Sequence, residues 1–280
     1  MRDVTAAGSS RGGRAVRIVG ILIALALALG IAWYGIAWIR HTEPSTPFQA
    51  IAHRGGPGTS GTPEGTLGAF RASVEAGADW LEFDVRATRD GVLVVLHDET
   101  VDRTTNGTGR VSELTFDALR ALDAGGGAQV PSVDEVVRLA RDAGLPILPE
   151  VKDGPHHPEI TPALLDLLDE AGYLDRAVIQ AFEPAELERI HAMRPDAKTC
   201  LLTGWVPLDS TRVPGGTRTV CPLGEMLLLN PDLIRQAHAD GLRVFAWWGF
   251  AESAVTNGIL RAFGVDGLVV DDLSPLVPRS

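Results

Sequence analysis

Cysteine is almost missing from this chain. Cys200 and Cys221 are the only two in 280 residues, too few for a disulfide scaffold or a four-cysteine zinc site. Basic charge is also short, with 25 Lys and Arg against 36 Asp and Glu and a net charge of −11. A nucleic-acid binder needs a basic footprint, so no nucleic acid is expected as a partner. No solenoid-type repeat is present, and no glycine-rich dinucleotide fingerprint follows the first apolar run. What remains is 45% apolar and 22% charged, which excludes a disordered polymer. The length suffices for one or two domains with a large core.

Charge is wholly absent from residues 18–39, IVGILIALALALGIAWYGIAWI. As a helix this run spans roughly 33 Å, the thickness of a bilayer core. Trp33, Tyr34 and Trp38 sit toward its distal end like an interfacial belt. Arg11, Arg14 and Arg17 precede it, so residues 1–17 read as a cytoplasmic basic tail and the rest of the chain as extracytoplasmic. Residues 1–40 carry a net +4 and the remainder a net −15. A cleaved signal peptide is the alternative, but its apolar region is shorter and ends in small residues. The reading is a single-pass anchor in the cell membrane, followed by a stiff linker at 40–48, RHTEPSTPF.

From residue 49 short apolar runs alternate with helical patterns. Strands are expected at 49–53, 80–86, 146–151, 177–181, 198–202, 218–221, 243–247 and 267–270. Helical patterns cover 66–76, 132–143, 162–171, 184–193, 231–239 and 252–263, several ending before a glycine. Eight βα units in a body spanning 49–280 fit a (β/α)₈ TIM barrel; an open doubly wound sheet is the runner-up. Residues 97–131 read as a small insertion after the second strand, and 203–217 as a crossover with its helix missing or vestigial.

Barrel enzymes carry their chemistry at the C-terminal strand ends. There the sequence places His53-Arg54-Gly55, Glu82 and Asp84, His97-Asp98, Glu150 and Lys152, Gln180 and Phe182, Trp247-Trp248 and Asp271-Asp272. Residues two apart share a strand face, so Glu82 points with Asp84, and Glu150 with Lys152. Three acids from two strands make an oxygen-rich site for a divalent metal, Ca²⁺ or Mg²⁺. The alternative is that they face solvent or pair with Arg86 and Lys152. His53 and His97 are candidates for acid and base, and Arg54 and Lys152 for an anionic phosphoryl group. The other five histidines occupy linker, loop or helix positions. Phe182, Trp205, Trp247 and Trp248 are candidates for the mouth, with core packing as the alternative for each.

These residues resemble the glycerophosphodiester phosphodiesterase family. The similar elements are HRG at 53–55, TPEGT at 62–66, LEFDV at 81–85, VLHDETVDRTTNGTG at 95–109, LPEVK at 148–152, VIQAF at 178–182, VFAW at 244–247 and GVDGLVVD at 264–271. The resemblance implies a (β/α)₈ barrel and hydrolysis of glycerophosphodiesters to glycerol 3-phosphate and an alcohol. It also implies Glu82, Asp84 and Glu150 as metal ligands, His53 and His97 as acid and base, and attack by the glycerol 2-hydroxyl through a cyclic phosphate. The chain departs from the family's usual pattern at Gly65, where asparagine is usual, at Val270-Asp271, and in the aromatic Trp247-Trp248-Gly249-Phe250. Rival readings are a phospholipase D-like enzyme and a tethered binding protein without turnover. The linker reaches at most roughly 30 Å and enters the first strand at its N-terminal end, opposite the expected site. The expected substrate is therefore a soluble diester or an envelope glycerol-phosphate polymer. The extracytoplasmic reading permits a Cys200–Cys221 disulfide, with two buried thiols as the alternative.

Overall fold

The computed structural model describes residues 9–40, 47–152, 154, 156–205, 208–209 and 212–277. The chain divides into two compact units, Met1–His41 and Thr42–Ser280. In the first, helix α1 spans Ser9–Arg40. Its segment Ala15–Ile36 has a mean hydropathy of 2.5 and is long and apolar enough to cross a membrane, as an anchor or a signal sequence is. Most of the expected linker, 41–46, lies outside the described residues, as do the side chain of Trp38 and the first eight residues of the basic tail.

The second unit is a closed barrel. Strands β1 (Gln49–Ala52), β2 (Trp80–Ala87), β4 (Ile147–Val151), β5 (Val178–Ala181), β6 (Lys198–Thr203), β7 (Thr219–Pro222), β8 (Arg243–Trp247) and β9 (Gly267–Val270) run parallel, and β3 (Leu93–Val95) lies antiparallel on β2. Closure comes from β1, which pairs with both β2 and β9. The period-two pattern sends Ile51, Trp80, Leu148, Val178, Cys200, Cys221, Phe245 and Val269 into one interior cluster. Continued along the same rows, it sends Glu82, Asp84, Glu150 and Gln180 inward at the C-terminal end. The opposite face carries Leu81, Phe83 and Val85, all fully buried. Phe83 meets Phe70 edge-on, with ring centroids 6.1 Å apart.

The outer layer is α2 (Pro57–Ser60), α3 (Leu67–Ala76), α4 (Phe116–Arg120), α5 (Val133–Ala143), α6 (Ile160–Glu170), α7 (Pro184–Met193), α8 (Gly224–Leu229), α9 (Asp232–Ala239) and α10 (Ala254–Ala262). Capping explains its boundaries. Ser132 and Glu135 form a reciprocal capping box at the start of α5, which Gly144 ends in the left-handed conformation. Short α2, α4 and α8 escape a periodicity reading because they are only four to six residues long. Between β6 and β7 the described residues contain no α-helix, as expected for a degenerate crossover. The insertion after β2 has its own small core of Val94, Leu96, Val101, Val111, Leu119, Ala124 and Val130.

Cys200 and Cys221 are joined as a disulfide, with Cα atoms 6.1 Å apart and both side chains fully buried. It staples β6 to β7 across this crossover, closing a loop with a sequence separation of 21. Loop-closure entropy makes it worth about 3 kcal/mol. The Cys200→Ala/Cys221→Ala variant is expected to melt roughly 6–12 °C lower in a thermal scan. An unchanged melting temperature would show that the crossover is held by packing alone.

Candidate active site

The first barrel strand stops at Ala52, one residue earlier than the sequence pattern indicates, and His53–Gly55 form a tight turn. Arg54 has φ 50°, a left-handed conformation unusual for a residue with a side chain. Two hydrogen bonds hold it there: Arg54 N–H donates to Glu82 Oε2 at 2.9 Å, and its carbonyl accepts from Gly65 N–H at 2.8 Å. The turn thus locks a histidine and an arginine onto the rim of β2. Strand β3 runs back along β2, and Leu96 N–H donates to Asp84 O at 3.1 Å. His97 arrives beside the acids by this route, its carbonyl gripped by Arg86 Nη2 at 2.7 Å and Nε at 3.0 Å.

Glu82, Asp84 and Glu150 converge, each offering an oxygen within 4.8 Å of the others, and all three are buried. Register makes this unavoidable, because Asp84 on β2 pairs directly with Glu150 on β4, which pairs with Gln180 on β5. Lys152 Nζ bridges Asp84 Oδ1 at 3.1 Å and Glu150 Oε1 at 2.7 Å. Arg54 Nε lies 3.3 Å from Asp84 Oδ2, close enough for attraction but off the line of a hydrogen bond. The pairing of these acids with Lys152, weighed as an alternative to a metal site, is thus present. It is also incomplete. Among the described residues Glu82 receives two neutral donors, the Arg54 N–H and Gln180 Nε2, both at 2.9 Å.

Electrostatics reflect that shortfall. Burial first, then Asp84, pushes Glu82 up to about 7. Burial also raises Glu150 to about 8, with Asp84 and Glu82 adding to it against the pull of Lys152. Burial acts on Asp84 in the same sense, but Lys152, Arg54 and both histidines outweigh it and hold Asp84 below its ordinary value. Three acids outnumber the cations among them, and a divalent cation removes the excess. The donor set, all carboxylate oxygen, fits a hard metal.

Each histidine has its own carboxylate. His53 Nδ1 is 2.7 Å from Asp271 Oδ1, and His97 Nδ1 is 2.7 Å from Asp98 Oδ1. The two carboxylates differ. Asp98 also takes Arg103 Nε at 2.6 Å, and Arg103 in turn bonds Glu64 at 2.7 and 2.9 Å. Asp271 has no such guanidinium among its side-chain contacts. Burial lowers His53, but the Asp271 bond and Glu82 outweigh it and the net shift is upward. His97 is shifted down, by burial first and then by Lys152 and Arg54 against Asp84.

A cavity of about 290 Å³ gathers His53, Arg54, Glu82, His97, Glu150 and Lys152, with Gln180, Phe182 and Trp247 on its far wall. Asp84 lies just behind, in a smaller adjoining space with Arg54 and His97. His53, Arg54, Glu82, Asp84, His97, Glu150, Lys152, Gln180, Phe182 and Trp247 are therefore in one place, whereas Trp205 is not among the residues lining it. Trp248 also lines the cavity, although most of its side chain is buried, with Nε1 donating to Asn257 Oδ1 at 2.7 Å in α10. Glu64, Asp98, Arg103 and Asp271 complete the site, although sequence reading assigned them no role. The first three lie inside the TPEGT and VLHDETVDRTTNGTG elements, but what they do is hold other side chains, which only contacts reveal.

Fixed cations facing two carboxylate-backed imidazoles across an acidic cluster can hold an anion while moving protons at two points, the requirement of phosphodiester cleavage. Comparison with known proteins agrees. The model of the glycerophosphoryl diester phosphodiesterase family matches residues 53–274. The chain belongs to that family and is a phosphoric diester hydrolase. A glycerophosphodiester phosphodiesterase of Caldanaerobacter subterraneus is 33% identical over 237 residues, covering 81% of this chain and 95% of the relative. The crystal structure of a glycerophosphodiester phosphodiesterase from Agrobacterium tumefaciens matches with a TM-score of 0.69 at 27% identity, covering 81% of this chain and 98% of that one. A phosphodiesterase of Oleispira antarctica, solved with its product sn-glycerol-3-phosphate, shares the fold with a TM-score of 0.73 at 22% identity, over 84% of this chain and 95% of that one.

Proposed function

We propose that this protein hydrolyses glycerophosphodiesters to glycerol 3-phosphate and an alcohol. The observation that carries the reading is one cavity holding the three buried acids and both histidines, each histidine backed by its own carboxylate. Glu82, Asp84 and Glu150 would hold the divalent metal, Ca²⁺ or Mg²⁺, which when bound supplies Lewis-acid polarisation of a phosphoryl oxygen. Arg54 and Lys152 neutralise the growing negative charge on the phosphoryl group. Gln180 orients Glu82, and Phe182 and Trp247 line the substrate wall.

The asymmetry between the histidines distributes the proton work. His97, whose shift downward favours the neutral imidazole, takes the proton of the attacking glycerol 2-hydroxyl. His53, whose hold on a proton the Asp271 bond strengthens, delivers its proton to the leaving alcohol. The phosphorus–oxygen bond to that alcohol breaks as the cyclic phosphate closes. In the second half His53, now neutral, accepts a proton from the water whose oxygen bonds to phosphorus, and His97 returns its proton to the 2-oxygen as the bond from that oxygen to phosphorus breaks and the ring opens.

The buried disulfide supports the extracytoplasmic reading, because such bonds persist in oxidising compartments. With the linker entering at the N-terminal end of β1, a soluble diester or an envelope glycerol-phosphate polymer is the substrate class that fits. The test reconstitutes the full-length chain in liposomes and compares glycerophosphocholine in solution with phospholipid in the same bilayer, each with and without chelator. Turnover of the soluble diester, abolished by chelator, is expected. Faster turnover of the bilayer lipid would overturn the reading in favour of a phospholipase D-like enzyme. No turnover of either would favour the tethered binding protein.

A further inference from the structure

The cavity has a polar side, built from β1, β2 and β4, and an aromatic side, built from the ends of β5, β6 and β8. On the aromatic side Phe182 and Trp247 meet edge to face, with centroids 5.8 Å apart. Trp247 is tied down by its Nε1, which donates to Thr203 O at 3.2 Å. Two residues beyond Thr203 stands Trp205, and three beyond Trp247 stands Phe250. Their rings stack on each other at 5.8 Å and 23°, yet they are 59% and 78% exposed. Two large aromatic faces are thus held open to solvent, Phe250 directly following the cavity-lining Gly249 and Trp205 two residues from the carbonyl that holds Trp247, where burial of either would be favourable.

The stack is built rather than incidental. Glu225, at the start of α8, is buried and accepts hydrogen bonds from the backbone of the loop carrying Phe250. Its Oε1 takes Gly249 N–H at 3.2 Å, Phe250 N–H at 2.8 Å and Ala251 N–H at 2.8 Å. A carboxylate saturated by three backbone donors fixes the loop and keeps its own charge away from a ligand. The neighbouring acids are engaged too. Glu252 accepts from Asp271 N–H at 2.9 Å and Asp272 N–H at 3.0 Å, Asp271 holds His53, and Asp272 accepts from Ser274 N–H at 2.9 Å. A primary ammonium, strongly hydrated and best served by a free carboxylate, meets acids here that are already engaged in holding backbone or His53. A weakly hydrated cation finds aromatic faces, which attract it through their quadrupoles.

We infer that Trp205 and Phe250 form the leaving-alcohol subsite, and that it selects a quaternary ammonium headgroup, as in a choline diester, over a primary amine. This rests on the reading of the cavity as a glycerophosphodiesterase site. The phosphoryl group sits on the polar side among Arg54, Lys152 and the acids, the glycerol is held deeper, and the alcohol extends past Trp247 toward the stack. The edge-to-face pair forms the inner wall and the stacked pair the outer one.

The test measures kcat/KM of the full chain, with metal supplied, for glycerophosphocholine, glycerophosphoethanolamine and glycerophosphoglycerol. The wild type should favour the choline diester by about 3- to 30-fold, the range from an exposed to a desolvated cation–π contact. Trp205→Ala and Phe250→Ala should each remove most of that preference, the loss falling selectively on the choline diester. Phe250→Tyr, which keeps the aromatic face, should retain it. Equal turnover of the three diesters by the wild type, or an equal loss on all of them in the alanine variants, would overturn the inference while leaving the proposed function intact. Failure to hydrolyse any of them would instead count against the proposed function.

Discussion

Glu82→Ala, Asp84→Ala and Glu150→Ala are each expected to lower turnover by on the order of 10³-fold, since a metal supplies several kcal/mol of charge stabilisation in such a transition state. Metal affinity should fall with activity, because each variant removes a negative oxygen ligand from a cluster whose members lie within 4.8 Å of one another. Glu82 is the most telling of the three. Among the described residues its carboxylate has no ion pair with a cationic side chain, so a neutral cluster needs a cation there more than at Asp84, which already meets Lys152 and Arg54. Isosteric Glu82→Gln should reproduce the loss with the fold unchanged. Calorimetry showing undiminished Ca²⁺ and Mg²⁺ affinity in all three alanine variants would sink the ligand assignment.

Loss of either histidine should cost about 10²-fold or more in turnover, the lower range for a missing general acid or base. His156→Ala and His157→Ala serve as controls and should change little, as His157 pairs instead with Glu159 at 3.1 Å. The pH profile separates the two roles. A base must be neutral, so activity falls on the acid side as His97 protonates, below the ordinary histidine range because its value is shifted down. An acid must be protonated, so activity falls on the alkaline side as His53 deprotonates, above that range because its value is shifted up. The expected curve is a bell with a broad top around neutrality. Asp271→Asn removes the carboxylate that raises His53 and should draw the alkaline limb downward, while leaving the acid limb in place. An alkaline limb that does not move would refute the assignment of His53 as the acid.

The barrel was legible because its cues are local. Apolar runs of strand length, helices bounded by caps such as Ser132 and Gly144, and a body of suitable length repeat along the chain, and each is settled within a dozen residues. The carboxylate cluster was legible for the same reason. Glu82 and Asp84 share a face by strand period, and parallel register then sets Asp84 opposite Glu150. Short α8 and α4 left no such mark, and the end of β1 was misplaced by one residue because the turn at His53 depends on a hydrogen bond from Arg54 to Glu82, 28 positions away.

Sequence by itself therefore determined the fold class, the apolar N-terminal helix and the identity of the groups that meet at the barrel mouth, because residue type and short-range period are sufficient for each. It left the cysteines open, and tertiary proximity joined them. It could not distinguish His53 from His97, since both end an apolar run and both are followed by charge. Tertiary structure distinguishes them: His97 leans on the neighbouring Asp98, whose charge is shared with Arg103, whereas His53 meets Asp271 from 218 positions away without a competing guanidinium. A proton's preference depends on the whole set of charges and the degree of burial around its site, and closure of the barrel assembles that set from segments with no local relation.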